Sequence, residues 1–240
     1  VTVPAPDHDR VRSPVDWERL GDAISVTAGA RGAVYAVAAT AFTEPTETLY
    51  RALDSGDLAD ELSALLDRTG LDVEAPDLAV DDEREILSAR YNDLFVVGYS
   101  EVVDRTDGTV QNYGPPVSLY ESDYRPEASW NEVNLDLARA YEHFGCEVDQ
   151  ETRRNHDHVR LQLEFMGYLC RREAAVDPDV AAARLDFHDR HLRVVATGVA
   201  EALDAEPGTG VYGEFADFLD RFTAADVADL DRRLNGGGES

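Results

Sequence analysis

Two histidine groups are the first places where this sequence could do chemistry. Asn155-His156-Asp157-His158 forms one, with Glu164 further along. A metal needs its ligands on one face, and two residues two positions apart on a helix point about 200° apart. The group reads better as a helix start, with Asn155 or Asp157 accepting backbone N–H groups. His188 and His191 stand at i and i+3 and could share a ligand. Yet Leu185, His188, Leu192, Val195 and Val199 make one apolar stripe, which assigns His188 to the core.

Nucleophiles are as sparse. Cys146 and Cys170 form neither a CxxC nor a zinc spacing, and two free thiols suit a reducing compartment better than one disulfide. There is no GxxxxGK phosphate loop, no GxSxG elbow and no HExxH helix. The expectation is a protein that is not an enzyme and holds no metal and no cofactor. The pairs Arg153-Arg154, Arg171-Arg172 and Arg232-Arg233 read as surface charge at helix ends, where cations suit the dipole.

Composition narrows the partners. Of 240 residues, 49 are acidic and 22 basic, for a formal net charge of -27. Nucleic-acid binding needs a basic face, so that class is excluded. An anionic membrane surface would repel the chain. No run approaches the roughly 20 apolar residues of a membrane span, and "VTVPAPDHDRVRSP" lacks the apolar core of a secretory signal. The chain is expected to be cytoplasmic, with no nucleic acid partner and no stable membrane association. Every basic residue is arginine. Acid excess without lysine reads as adaptation to a salt-filled cytoplasm, because this charge would repel itself in dilute buffer.

The elements that must position any site are helices. Hydrophobic residues make up 43%, enough for a sizeable core. Ser13-Pro14 reads as a helix start, and helical spacing runs from Asp16 to Phe42, with Gly29 and Gly32 expected to split it. "PTETLYRALDSG", "DLADELSALLDRTG" with Asp57 as N-cap, and "DDEREILSARYNDLFVVG" follow as helices. In the last of these, Ile86, Leu87, Arg90, Tyr91, Leu94 and Phe95 fall on adjacent turns. Gly98 to Gly114 reads as a polar loop turning at Thr106-Asp107-Gly108. Four further helical stretches follow: "PEASWNEVNLDLARAYEHFG" up to Gly145, "NHDHVRLQLEFMGYLCRREAA", "PDVAAARLDFHDRHLRVVATGVAEALDA" ended by Pro207-Gly208, and "GEFADFLDRFTAADVADLDRRL". The fold class is all-α: a single compact bundle of about ten helices over 1–240, with 1–13 and 235–240 as flexible ends.

Five motifs in order carry a family resemblance. They are "RGAVYAVAATAFTEP" (31–45), "YNDLF" (91–95), "PPVSLYESDY" (115–124), "DHVRLQLEFMGYL" (157–169), and Phe187 with His191-Leu192. Together they make the chain resemble the TorD/DmsD/NarJ family of redox-enzyme maturation chaperones, from about residue 30 to 222. Two positions depart from the pattern: Asn155-His156 stands where proline is frequent, and Val195 where tryptophan is.

The resemblance implies a TorD-like chaperone. It would bind the N-terminal leader peptide of a molybdopterin-containing oxidoreductase catalytic subunit. It would hold that subunit for cofactor insertion before twin-arginine export. The implied peptide-binding residues are Tyr91, Leu94, Phe95, Pro116, Tyr120, Glu121, Tyr124, Asp157 and His158. Pro115-Pro116 would hold the following backbone extended and present the tyrosines at a groove edge. Glu121 and Asp123 would pair with the leader's arginines, and Asp157-His158 would open a helix nearby. Core packing is the rival reading for Tyr91, Leu94 and Phe95, and capping for Asp157. Two other functions stay open: a NarJ-like helical adaptor for a mature or non-exported subunit, and a metal-dependent hydrolase using His156, His158 or His188.

Overall fold

The computed structural model describes residues 25–104, 109–148, 155–175 and 180–236, with the backbone alone for 100–104 and 109–112. The helix start at Ser13-Pro14, the helical spacing before residue 25, the turn at Thr106-Asp107-Gly108, the pair Arg153-Arg154 and residues 237–240 lie outside the described residues.

Helix α1 (Val26–Ala41) is capped by the Ser25 side chain and runs unbroken through Gly29 and Gly32. The expected split is therefore wrong, and the reason is packing. A Cβ on Gly32 would come within 3.0 Å of the Gly167 carbonyl and the Cys170 Cβ on α6 (Val159–Ala175). Gly167 mirrors it, with its own Cβ position 3.0 Å from the Gly32 carbonyl. The glycines let two backbones touch, and α1 packs along α6 on this seam.

Helix α2 (Glu47–Asp54) is capped by Thr46. Helix α3 (Asp57–Thr69) buries Leu58, Leu62 and Leu66, follows Gly56 rather than starting on an Asp57 cap, and stops at Gly70 with φ 67°. Helix α4 (Arg84–Phe95) buries Leu87, Tyr91, Leu94 and Phe95, whereas Ile86 stays 50% exposed. Tyr91 and Phe95 pack with Tyr212, and Phe42 closes on Phe95.

The expected polar loop contains an antiparallel hairpin, β1 (Ser100–Asp104) with β2 (Thr109–Asn112), pairing Ser100 with Asn112 and Val102 with Val110. The Val102-Val103 and Val110 positions supply the β-branched character that a turn-centred reading missed. A 3-10 turn (Glu121–Tyr124) precedes α5 (Trp130–His143), which opens on a Ser129/Glu132 capping box. Helices α7 (Val180–Phe187) and α8 (Arg193–Ala205) are joined by a π turn (His188–Leu192), where a plain helix was expected. Helix α9 (Val211–Asn235) closes the chain. Nine helices and one hairpin make up the described residues, so the all-α class holds. None of these helices is long and apolar enough to cross a membrane.

A buried ionic network ties the bundle together. Asp226 on α9 is 1% exposed. It accepts from the Arg31 guanidinium at 3.0 Å and the Tyr35 hydroxyl at 2.8 Å, both on α1, and from Arg184 on α7. Arg31 also donates to the Thr69 carbonyl at the end of α3 (2.9 Å) and pairs with Asp229 (2.8 Å). Arg184 pairs with Glu173 on α6, which Arg233 reaches from α9 at 3.1 Å. Arg233 is thus more than helix-end surface charge. Burial, and then the neighbouring acid, push the Tyr35 hydroxyl well above its ordinary range, so it stays a donor.

Replacing Asp226 by Ala leaves Arg31 and Arg184 under-compensated in the interior. The expected loss is about 3–5 kcal/mol, read as a shift of the denaturant midpoint in concentrated KCl; a loss under about 1 kcal/mol refutes the network's role. Neither cysteine is paired, and burial pushes the Cys170 thiol up to about 12. A thiol reagent should therefore modify the half-buried Cys146 in the native protein and reach Cys170 only on unfolding.

Candidate functional site

The segment after Pro115-Pro116 is extended and pinned on both sides. The Val117 N–H donates to the Leu94 carbonyl at the end of α4 (3.0 Å). The Val159 N–H donates to Leu119 O (2.8 Å), and the Glu121 N–H to Asp157 O (3.0 Å). Tyr120 and His158 form a single antiparallel bridge. Alternate residues face inward as in a strand: Val117, Leu119 and Glu121 are buried, while Pro116 is exposed and Tyr120 half-buried. The third inward position thus carries an acid where the alternation calls for an apolar residue.

That acid has a prepared environment. Glu121 accepts from Gln162 Nε2 (2.8 Å) and Arg125 Nε (2.6 Å), and the His191 Nδ1 lies 3.2 Å from both its oxygens. The other ring nitrogen of His191 lies 3.2 Å from Asp136 on α5, which also pairs with Arg190. Arg190 and His191 are sequence neighbours, and the π turn lets both reach Asp136; such turns recur at functional sites. Asp157 is fully buried and accepts from the Ser122 hydroxyl (2.6 Å) and N–H (3.2 Å). Its side chain therefore caps the 3-10 turn across the junction. The His158 Nδ1 accepts the Arg160 N–H (3.1 Å), and its ring meets Tyr120 edge-on at 5.0 Å. Tyr124 donates to the Ser118 carbonyl (2.7 Å) and lies over Gly198 on α8, where a Cβ would come within 2.5 Å of the ring.

Of the nine expected binding residues, six are buried and three reach the surface. Tyr91, Leu94 and Phe95 lie in the core at 7%, 6% and 7% exposure, tied to the segment through Leu94 O. Pro116, Tyr120 and Tyr124 reach the surface. Glu121, Asp157 and His158 are buried too. Direct pairing of Glu121 with a guest arginine is corrected: its carboxylate is enclosed and held by this chain's own Gln162, Arg125 and His191. Asp123 is exposed and takes the Ser118 hydroxyl. His188 is buried as expected, and burial lowers its pKa against the opposing pull of Asp189. His156 stacks on Tyr141. Among the described residues no group of three or more His, Cys, Asp and Glu is arranged to hold a metal.

Sequence reasoning missed Gln162, Asp136 and Gly198, and weighed His191 only as a motif or metal residue. The acid at an inward position of an alternating run was the available signal. It also counted no GxGxxG in the chain, and that is corrected: Gly208-Thr209-Gly210-Val211-Tyr212-Gly213 has the spacing of a dinucleotide fingerprint. The run joins α8 to α9 instead of following a strand. It borders a cavity of about 790 Å³ lined by Asp77, Glu201, Asp204, Glu206, Glu214 and Asp217, which repel phosphate. The glycines have local duties: Gly208 and Gly210 take φ values of 69° and 55°, and Arg90 lies against Gly210.

The sequence profile described as the nitrate reductase delta subunit matches residues 38–197, most of the chain, including Tyr91 to His158 and His191. The chain belongs to the nitrate reductase delta subunit family. The resemblance read from its motifs therefore stands. Within that family's reach, the chain is similar to the chlorate reductase assembly chaperone protein of Ideonella dechloratans, at 34% identity over 52% of this chain and 62% of that one. It is similar to the selenate reductase assembly chaperone protein of Thauera selenatis at 39%, over 32% and 42%. It is similar to the perchlorate reductase assembly chaperone protein of Dechloromonas aromatica at 26%, over 50% and 57%. Each match spans less than two thirds of the relative's own length.

Gly198→Val should drive Tyr124 off α8 and cost about 1–3 kcal/mol. Proteolytic nicking near 118–125 should rise with it, and unchanged protection there contradicts the contact. His188 also has a pH signature. Its folded pKa lies below the ordinary 6.5, so its contribution is full above about 6.5 and is lost as pH falls towards the folded value. The stability difference between wild type and His188→Gln should narrow on acidification from pH 7 to 5; a constant difference contradicts the burial effect.

Proposed function

We propose that this chain is a cytoplasmic chaperone, not an enzyme, that binds the N-terminal leader of a molybdopterin-containing oxidoreductase catalytic subunit. It holds that subunit for cofactor insertion before twin-arginine export. The observation that carries the reading is the family match across Tyr91 to His158. The similar chains are described as assembly chaperones of chlorate, selenate and perchlorate reductases, which favours a reductase of that kind as the client.

A leader offers a basic end and an apolar stretch. Pro116, Tyr120 and Tyr124 supply surface that is apolar with polar tips, suited to such an edge. Val96, Val97 and Tyr99 extend it, at 56%, 54% and 53% exposure, and Tyr99 stacks on Tyr113 at 4.8 Å just ahead of the prolines. Tyr91, Leu94 and Phe95 back this surface from the core. Glu121, Asp157 and His158 act from beneath, fixing the backbone that presents Tyr120. At about 1 M salt the Debye length is about 3 Å, so the large negative charge steers nothing from a distance. Apolar burial and contact-range ion pairs carry recognition.

The test is fluorescence anisotropy in concentrated KCl with labelled leader peptides from molybdenum reductases of the same cell, against a scrambled peptide. Saturable binding to one leader is expected, weakened at least about fivefold in Tyr120→Ala. Binding to a mature subunit and to no leader overturns the leader reading in favour of the adaptor.

A further inference from the structure

Two cavities meet at the Asp136–Arg190 ion pair. One, of about 320 Å³, has an aromatic floor made by Phe144, Phe165 and Phe187. The other, of about 290 Å³, reaches Glu121 and Arg125. They share three lining residues, Asp136, Arg190 and His191. The side chains of Arg190 and Asp136 are 52% and 39% exposed, so the bond that divides the cavities is a surface one. Exposed pairs of this kind contribute little and exchange readily. Arg190 also reaches Asp186 at 3.4 Å, so its departure would strip two carboxylates of their arginine. Asp136 would stay in place, because His191 holds it from below at 3.2 Å, and His191 is itself seated on buried Glu121.

We propose that Asp136 is an arginine-exchange site. Arg190 occupies it in the free protein, and an arginine of a bound peptide replaces it. Replacement opens the divider, and the two cavities become one groove. The guest that fits has a guanidinium next to a bulky apolar side chain. The guanidinium would take Asp136 in the forked geometry that carboxylates favour. The apolar neighbour would lie on the floor where Phe165 and Phe187 meet edge-on at 4.8 Å. A lysine would serve less well, since it cannot make the fork. The proposal deepens the leader-binding reading: it gives the basic end of the leader a subsite that Glu121, being enclosed, does not offer.

The full chain in concentrated KCl is titrated with acetyl-Arg-Phe-amide while the His191 imidazole NMR signals are followed. Acetyl-Lys-Phe-amide and acetyl-Arg-Gly-amide are the controls. A saturable shift with the first probe is expected, weaker with both controls and lost in Asp136→Asn. Arg190→Ala removes the internal competitor and should bind about two- to fivefold tighter. Thermal unfolding of each variant checks that it is folded, and Arg190→Ala alone decides the matter should Asp136→Asn not fold. No shift at His191, or equal affinity in wild type and Arg190→Ala, overturns the exchange site. The same variants are then titrated with the leader that wild type binds. Leader binding unchanged by both substitutions sinks this subsite and leaves the leader reading intact. A His191 shift with acetyl-Arg-Phe-amide, in a protein that binds no leader, sustains the exchange site and sinks the leader reading.

Discussion

Asp226 is one carboxylate with two guanidiniums and a phenol around it, and the helical packing is organised on that point. It joins α9 to α1 and α7, while Arg31 brings in the end of α3 and Arg184 brings in α6 through Glu173. Buried pairs of this kind add little net stability over apolar packing of equal volume. Their effect lies in what they forbid. A slip of α9 by one turn would separate Asp226 from both arginines and leave charges stranded in a low dielectric. The apolar faces alone would tolerate that slip far better. The all-arginine composition serves this design, because Arg31 alone spans a carbonyl and two carboxylates with one planar fork.

The same logic recurs at the other end of α6 with a graded exposure. Glu121 is fully enclosed, His191 nearly so, and Asp136 is 39% exposed. A line of charged and titratable groups thus runs from interior to surface. The inner member is saturated by Gln162 and Arg125, so it acts as an anchor. The outer member is held by an exposed arginine and can change partners. Depth, more than residue type, divides the acids of this junction into those that position and those that can bind.

The Pro115-Pro116 break converts chain direction into presentation. It ends the hairpin region and leaves residues 117–120 pinned between the last turn of α4 and the entry to α6, with one antiparallel bridge at Tyr120. The alternation of extended backbone then sends Tyr120 outward and Glu121 inward. Tyr124 locks the following turn onto Gly198, so the surface tyrosines rest on rigid helices at both ends.

The sequence by itself determined the helical class, most helix positions and the family. These depend on local spacing, caps and short motifs that neighbours in the chain carry. It also singled out the 115–124 segment, because its prolines and tyrosines are neighbours in the chain; that Asp157 lies against this segment, 35 positions from Ser122, is a property of the fold. Only the tertiary structure decided what Gly32 and Gly167 do: a glycine that breaks a helix and one that seats another helix look alike in one dimension. Only the fold showed that Asp226 answers Arg31 across 195 positions, and that His191 and Asp136 complete the Glu121 site. Burial decides whether a carboxylate is an anchor or a binding group, and burial is a property of the assembled bundle, which no stretch of sequence holds alone.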